Sequence, residues 1–154
     1  MRCGMQKKTI WFSILLLSLV GGYLVANHHT SKNDNIQVVK LDDQPWYEAD
    51  DKAVAREIAS PRNSRAEELS IADIIIPAGV KVKPHYHKVI EEIYFVSGGS
   101  GIMWLDGKEK KVVKGDAIVI RPGERHNIHN NTNEELRLIV TCTPAWTPDC
   151  LIFD

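Results

Sequence analysis

From residue 69 onward the chain is cut into short runs of β-favouring residues, at 69–76, 80–87, 93–96, 102–105, 111–113, 117–120, 125–129 and 136–142. Runs this short cannot each be a helix, and this many strands in about half the chain must be joined by tight turns. The turn residues are present. Asp106-Gly107 between two runs is a two-residue hairpin signal, because both positions tolerate positive φ, and Gly79, Gly115 and Gly123 punctuate other connections. A single domain built from many short strands leaves unpaired edges unless it closes or doubles over, so the expected fold is all-β, a small barrel or jelly roll. With 154 residues and 44% hydrophobic content the chain has material for one ordinary core.

The first residues follow a different rule. Arg2, Lys7 and Lys8 precede an apolar stretch over residues 10–26, after which the chain turns polar at Asn27. A basic flank followed by an apolar run is an export signature, and its length fits either a cleaved signal or a retained membrane anchor. Residues 1–26 are therefore expected to be a signal or anchor, residues 27–65 a polar linker and N-terminal arm, residues 66–143 the β-barrel and residues 144–154 a C-terminal tail. On this reading the folded part sits on the periplasmic or extracellular face. Within the arm, Pro45 with Glu48, Asp50 and Asp51 suggests a short helix over residues 45–60. Nineteen basic and twenty acidic residues, scattered without long runs, leave no electrostatic footprint for nucleic acid. In an oxidising compartment Cys142 and Cys150 form an even pair that can make a disulfide, while Cys142 at the end of an apolar strand can equally be a small buried hydrophobe.

The chemistry concentrates in two stretches. Residues 79–99 read Gly-x5-His-x-His-x4-Glu-x6-Gly, with His85, His87 and Glu92 as polar members. Residues two apart on a strand share a face, so His85 and His87 present two imidazoles side by side while Tyr86 points away. Further on, Gly115-x7-Gly123-x2-His126-x3-Asn130 sets another histidine just after the Pro122-Gly123 turn. Three imidazoles and a carboxylate suit one divalent ion, Fe, Mn, Ni, Zn or Cu, with positions left for water or substrate. By strand alternation Glu91 and His129 face solvent or stand behind the ligands, and Tyr94, on the same face as Glu92, is either core packing or the candidate for a further acid or base. Trp46, Trp104 and Trp146 serve either as pocket lining or as core and edge cover. Asn130-Asn131-Thr132 matches a glycosylation sequon, with a structural role for Asn130 the alternative.

These two stretches, PHYHKVIEEIYFVSGGSG and GDAIVIRPGERHNIHN, resemble the two motifs of the cupin superfamily, and the resemblance runs from about Glu68 to Thr143. It implies a small double-stranded β-helix, or jelly-roll barrel, with the metal on His85, His87, Glu92 and His126. Placing Gly99 on the first motif's closing glycine selects Glu92 over Glu91. The second motif departs once: Arg121 stands where the family usually has proline, and Pro122 follows one place later. The tail CTPAWTPDC is similar to those of small cupins labelled as relatives of mannose-6-phosphate isomerase. Metal-retaining cupins include dioxygenases, isomerases, decarboxylases and lyases, so the resemblance implies either an enzyme acting on a small oxygenated substrate or a non-catalytic sugar or small-molecule module. A small-molecule ligand is the expected partner, and the sequence leaves room for a homodimer and for membrane attachment through residues 1–26.

Overall fold

A computed structural model describes residues 36–153, and these are almost entirely β. The strands are β1 (Tyr47–Glu48), β2 (Val54–Ala59), β3 (Ser70–Ile76), β4 (Glu91–Gly98), β5 (Ser100–Leu105), β6 (Lys108–Val113), β7 (Ala117–Ile120), β8 (His126–His129) and β9 (Leu136–Thr143). They form an antiparallel six-stranded sheet in the order β1-β2-β3-β9-β4-β7 and a three-stranded sheet in the order β6-β5-β8. The fold is the expected jelly-roll barrel.

Alternation along the strands builds the interior. In β4, Glu92, Tyr94 and Val96 are buried while Glu91, Ile93 and Phe95 are exposed, and in β9 Leu136, Leu138, Val140 and Cys142 turn inward. Met103 of β5, Val112 of β6 and Ile128 of β8 close the core from the smaller sheet. Each such aliphatic side chain contributes roughly 1.5–3 kcal/mol of burial free energy, which fixes the register because a one-residue slip would turn every one of them outward. The β5–β6 hairpin turns on Asp106 (φ 43°) and Gly107 (φ 83°), as their residue types require. Gly99 joins β4 to β5 at φ +73°, where an added Cβ would lie 2.3 Å from the Glu135 carbonyl oxygen, so only glycine fits. On the outer side of the larger sheet, Asp73 is fully buried beneath two arginines. It accepts from Arg137 at 2.8 and 2.6 Å and from Arg56 at 3.2 Å, which ties β2, β3 and β9 together.

Two expectations about secondary structure are corrected. The helix expected over residues 45–60 is instead the pair β1 and β2, turning at Lys52 (φ 75°), with Val54 and Ala55 of β2 opposite Ile75 and Ile74 of β3. Cross-strand pairing outweighs a weak local helix signal. These strands fall in the arm over residues 27–65 and extend the sheet ahead of residue 66. The strand expected over residues 80–87 is reduced to isolated bridges, Lys81 to His129, His85 to His126 and Tyr86 to Ile152. Pro84 lacks an N–H for a ladder, and after His85 the segment changes partner, from β8 to the C-terminal tail at Tyr86. Among the described residues no helix is long and apolar enough to cross a membrane. The signal or anchor expected at residues 1–26 lies outside the described residues.

Candidate metal centre

Register across the larger sheet decides what faces inward at one level. Ser70 lies opposite Cys142, Cys142 opposite Glu92, and Glu92 opposite Ile120. Glu92 therefore looks into the barrel with the Cys142 thiol 3.3 Å from its Oε1, donating to it. The histidines arrive from the other side. His85 and His126 exchange two backbone hydrogen bonds, N to O at 3.1 and 2.9 Å, and this bridge sets their rings 4.4 Å apart, tilted by 60°. His87 stands next along the same segment, its ring centroid 5.4 Å from that of His85. The turn ahead of His126 has Pro122 and Gly123 (φ 86°) at its centre, with Glu124 N–H bonded to Arg121 O at 3.1 Å. Pro followed by a positive-φ glycine fits a type II turn, so the displaced proline leaves His126 in place.

Each imidazole is oriented from behind. Nδ1 of His85 lies 2.8 Å from the Lys83 carbonyl, that of His126 3.0 Å from the Glu124 carbonyl, and that of His87 3.0 Å from the Cys150 carbonyl. A carbonyl only accepts, so in each neutral ring Nδ1 carries the proton and Nε2 keeps a lone pair. One ligand atom from each of His85, His87, Glu92 and His126 lies within 4.8 Å of all the others. His87 Nε2, Glu92 Oε2 and His126 Nε2 are buried with no hydrogen-bond partner. His126 Nε2 sits 3.1 Å and His87 Nε2 3.5 Å from Glu92 Oε2. Lone pairs facing a carboxylate oxygen at such distances repel unless a proton or a cation lies between them, so the donor set fits a divalent ion.

The same crowding sets the charges of the metal-free site. Burial pushes the Glu92 carboxyl up, but His126 and His87, close to Oε2 and able to take a proton on Nε2, outweigh it and bring the group down to about 2. Burial, with the neighbouring His126 charge, lowers His85 to about 4. For His87 burial acts downward, but the Glu92 carboxylate 3.5 Å from Nε2 favours the protonated ring and prevails, raising it. The signs give a prediction for protein stripped by a chelator. Between the free imidazole value of 6.5 and the His85 value of about 4, the unfolded chain takes up a proton that the fold refuses, so stability falls as pH falls through that window. His87 runs the other way: its contribution is complete below 6.5 and fades as pH rises through its folded value. Glu92 stabilises the fold above 4.5 and gives that up only as pH falls through about 2. The expected outcome is a fall in stability from pH 6.5 to 4, carried by His85. Urea unfolding at the two pH values measures it, and a midpoint that did not drop would contradict the burial of a neutral His85.

The other candidates divide. Glu91 is exposed and His129, on the outer side opposite Ile102, is half-buried; neither joins the cluster. Tyr94 turns inward one step along β4 from Glu92, its ring 5.9 Å from that of His126, and burial together with the Glu92 charge raises its hydroxyl well above 10. Trp146 borders the cavity; Trp46 lies under the Arg56 guanidinium at 4.2 Å. Trp104 sits opposite Asn127 and Glu109 on the smaller sheet. Asn130 is fully buried, donating to Ile76 O and Glu134 O and accepting from Thr132, a structural role. Cys142 and Cys150 are separate thiols. Sequence reasoning missed the Cys150 carbonyl behind His87, a contact across 63 positions that no local pattern signals. The tail that makes it pairs back through Ile152 and sets Phe153 against His85, ring centroids 6.0 Å apart.

A cavity of about 1170 Å³ opens from this cluster between the sheets. Ligand pockets commonly enclose roughly 300–1,000 Å³, so it has room for a ligand beyond an ion and its waters.

Comparison with known proteins agrees with this geometry. The family profile described as the cupin domain matches residues 72–142, which include Glu92 and His126. An uncharacterized protein of Methanocaldococcus jannaschii is 35% identical over 101 residues, spanning 66% of this chain and 81% of that protein. The oxalate-binding protein of Thermotoga maritima is 33% identical over 64 residues, 42% of this chain and 53% of that one. Among solved structures, a predicted oxalate decarboxylase from Thermotoga maritima superposes with a TM-score of 0.64 at 22% identity, covering 70% of this chain and 99% of the other, a likeness of fold. Motifs, barrel and matches point one way, and the chain belongs to the cupin superfamily.

Proposed function

We propose that this domain holds one divalent metal ion on His85, His87, Glu92 and His126 and acts as an enzyme on a small oxygenated substrate, of dioxygenase, isomerase or lyase type. The observation that carries the reading is the convergence of three buried, unpartnered atoms, His87 Nε2, Glu92 Oε2 and His126 Nε2, whose rings are locked in the tautomer that ligation needs. Such an ion, when bound, polarises ligand oxygens. The chain's own residues do the rest: the carbonyls of Lys83, Glu124 and Cys150 hold the imidazoles, and largely apolar walls flank the cluster. Tyr94, whose hydroxyl stays protonated, offers a hydrogen bond beside the cluster.

The test is turnover by Fe(II)-loaded protein prepared without air, against a panel of hydroxy acids, diols, enediols and catechols. Oxygen uptake with product on admitting air marks an oxygenase, and conversion without air marks isomerase or lyase chemistry. Binding without conversion under Fe, Mn and Ni alike would favour a second reading, a non-catalytic recognition module, which the oxalate-binding relative supports. We further propose, from the basic flank and apolar run in residues 1–26, that the domain works outside the cytoplasm, attached to the membrane or released from it. A reporter active only after export, fused behind Asp154, should be active; a fusion working only in the cytoplasm would refute that.

A further inference from the structure

The walls of the cavity say what kind of molecule belongs in it. On the inner face of the larger sheet, the level next to Glu92 and Cys142 runs Glu57, Ala72, Val140, Tyr94, and the level beyond runs Ala55, Ile74, Leu138, Val96. Between the metal cluster and Glu57 the floor is therefore hydrocarbon, with Ile128 and Val82 also bordering the space. The room itself comes from small residues. Ala53, Ala55 and Ala72 line the cavity where neighbouring positions carry Ile, Leu or Val, so its width follows from side chains that stop at Cβ.

The less exposed polar groups on the β2 side are largely occupied by one another. Arg62 grips the Glu57 carboxylate with Nε and Nη2 and gives Nη1 to the Trp146 carbonyl at 2.8 Å. Asn63 donates to Gln44 Oε1 at 3.0 Å, and Asp51 accepts from the Ala53 and Lys83 backbone at 3.2 and 3.0 Å. A hydroxyl-rich ligand such as a sugar would lose its water against Ala72, Val140 and Leu138 with little given back, and that desolvation is costly. Tyr47, Asp50 and Lys83 keep polar groups at the exposed margin of the cavity, whereas the buried groups with capacity to spare lie in the His85, His87, Glu92 and His126 cluster and the Tyr94 hydroxyl.

Resting on the metal reading above, we propose that the cavity takes a ligand with a flat apolar body and two adjacent oxygens at one end only. The oxygens reach toward the cluster and Tyr94, and the body lies across the sheet over Ala72 and Val140. This separates catechol-like and fused-ring compounds from the sugars and small hydroxy acids that the four-residue cluster alone would accept equally.

The experiment keeps the chelating head constant and varies the body. Protein containing residues 1–154 is loaded with Ni(II), its metal content measured, and catechol, 2,3-dihydroxynaphthalene and a disulfonated catechol are titrated without air. Affinities are divided by those for free Ni(II). The expected result is dihydroxynaphthalene at least about tenfold tighter than catechol and the disulfonate at least about tenfold weaker. Ala72→Leu should remove the naphthalene gain with nickel content unchanged, and Ala55→Leu decides the point if Ala72→Leu does not fold. Equal corrected affinities, or a gain that survives in the leucine variants, would overturn the proposal while leaving the metal site standing. A chain that takes no nickel overturns both.

Discussion

Replacing His126 by Ala should lower the affinity for divalent metal by about a hundredfold or more, whereas His129→Ala should leave it unchanged. Even the partners behind a ligand commonly contribute factors of about 10–100, so loss of the ligand itself costs at least that much. His126 is completely buried, its Nε2 has no hydrogen-bond partner, and its Nδ1 is fixed by the Glu124 carbonyl, so no other side chain can move into its place without displacing backbone. His129 lies on the outer side of β8, outside the cluster, and serves as the control. Competition against a chromophoric chelator reads both variants. Equal losses at the two positions would mean that the histidines act through folding alone.

The second large effect separates two adjacent carboxylates. Glu92→Gln removes the one anionic member of the cluster while preserving its shape, so metal affinity should again fall by about a hundredfold. The neighbouring Cys142 thiol can still donate to the amide oxygen, which limits the damage to the fold. Glu91→Gln should do nothing measurable, because Glu91 sits exposed on the opposite face of β4. Should the effects come out reversed, β4 would be in the other register, and the inward set of Glu92, Tyr94 and Val96 would be wrong with it.

How much of this was legible in the sequence depends on the range of the interactions. The His85-x-His87 pair and Glu92 were readable because strand alternation is a two-residue rule, and the Asp106-Gly107 hairpin was readable because positive φ selects residue types locally. His126 needed the family motif, since its approach to His85 is made by a backbone bridge between segments 41 positions apart. The strands β1 and β2 escaped because Pro45 and the nearby acidic residues imitate a helix start, and only pairing with β3 contradicts it. Least visible was the cavity. Its width depends on Ala55 and Ala72 both being small on adjacent strands, and the pairing of its inner polar groups depends on Arg62 finding both Glu57 and the Trp146 carbonyl. Likewise Asp73, on an otherwise apolar strand, gave no sign that arginines from two other strands would cover it.

The central claim is that four side chains converge to hold one ion. Its most direct test is the metal content of the purified chain after exposure to Fe, Mn, Ni, Zn or Cu, combined with X-ray absorption at the edge of the metal retained. The account predicts close to one ion per chain, ligated by nitrogen and oxygen with imidazole scattering and no sulfur, since the Cys142 thiol is engaged with Glu92. Protein that retains no ion under any of these metals, or retains one through sulfur, would contradict it.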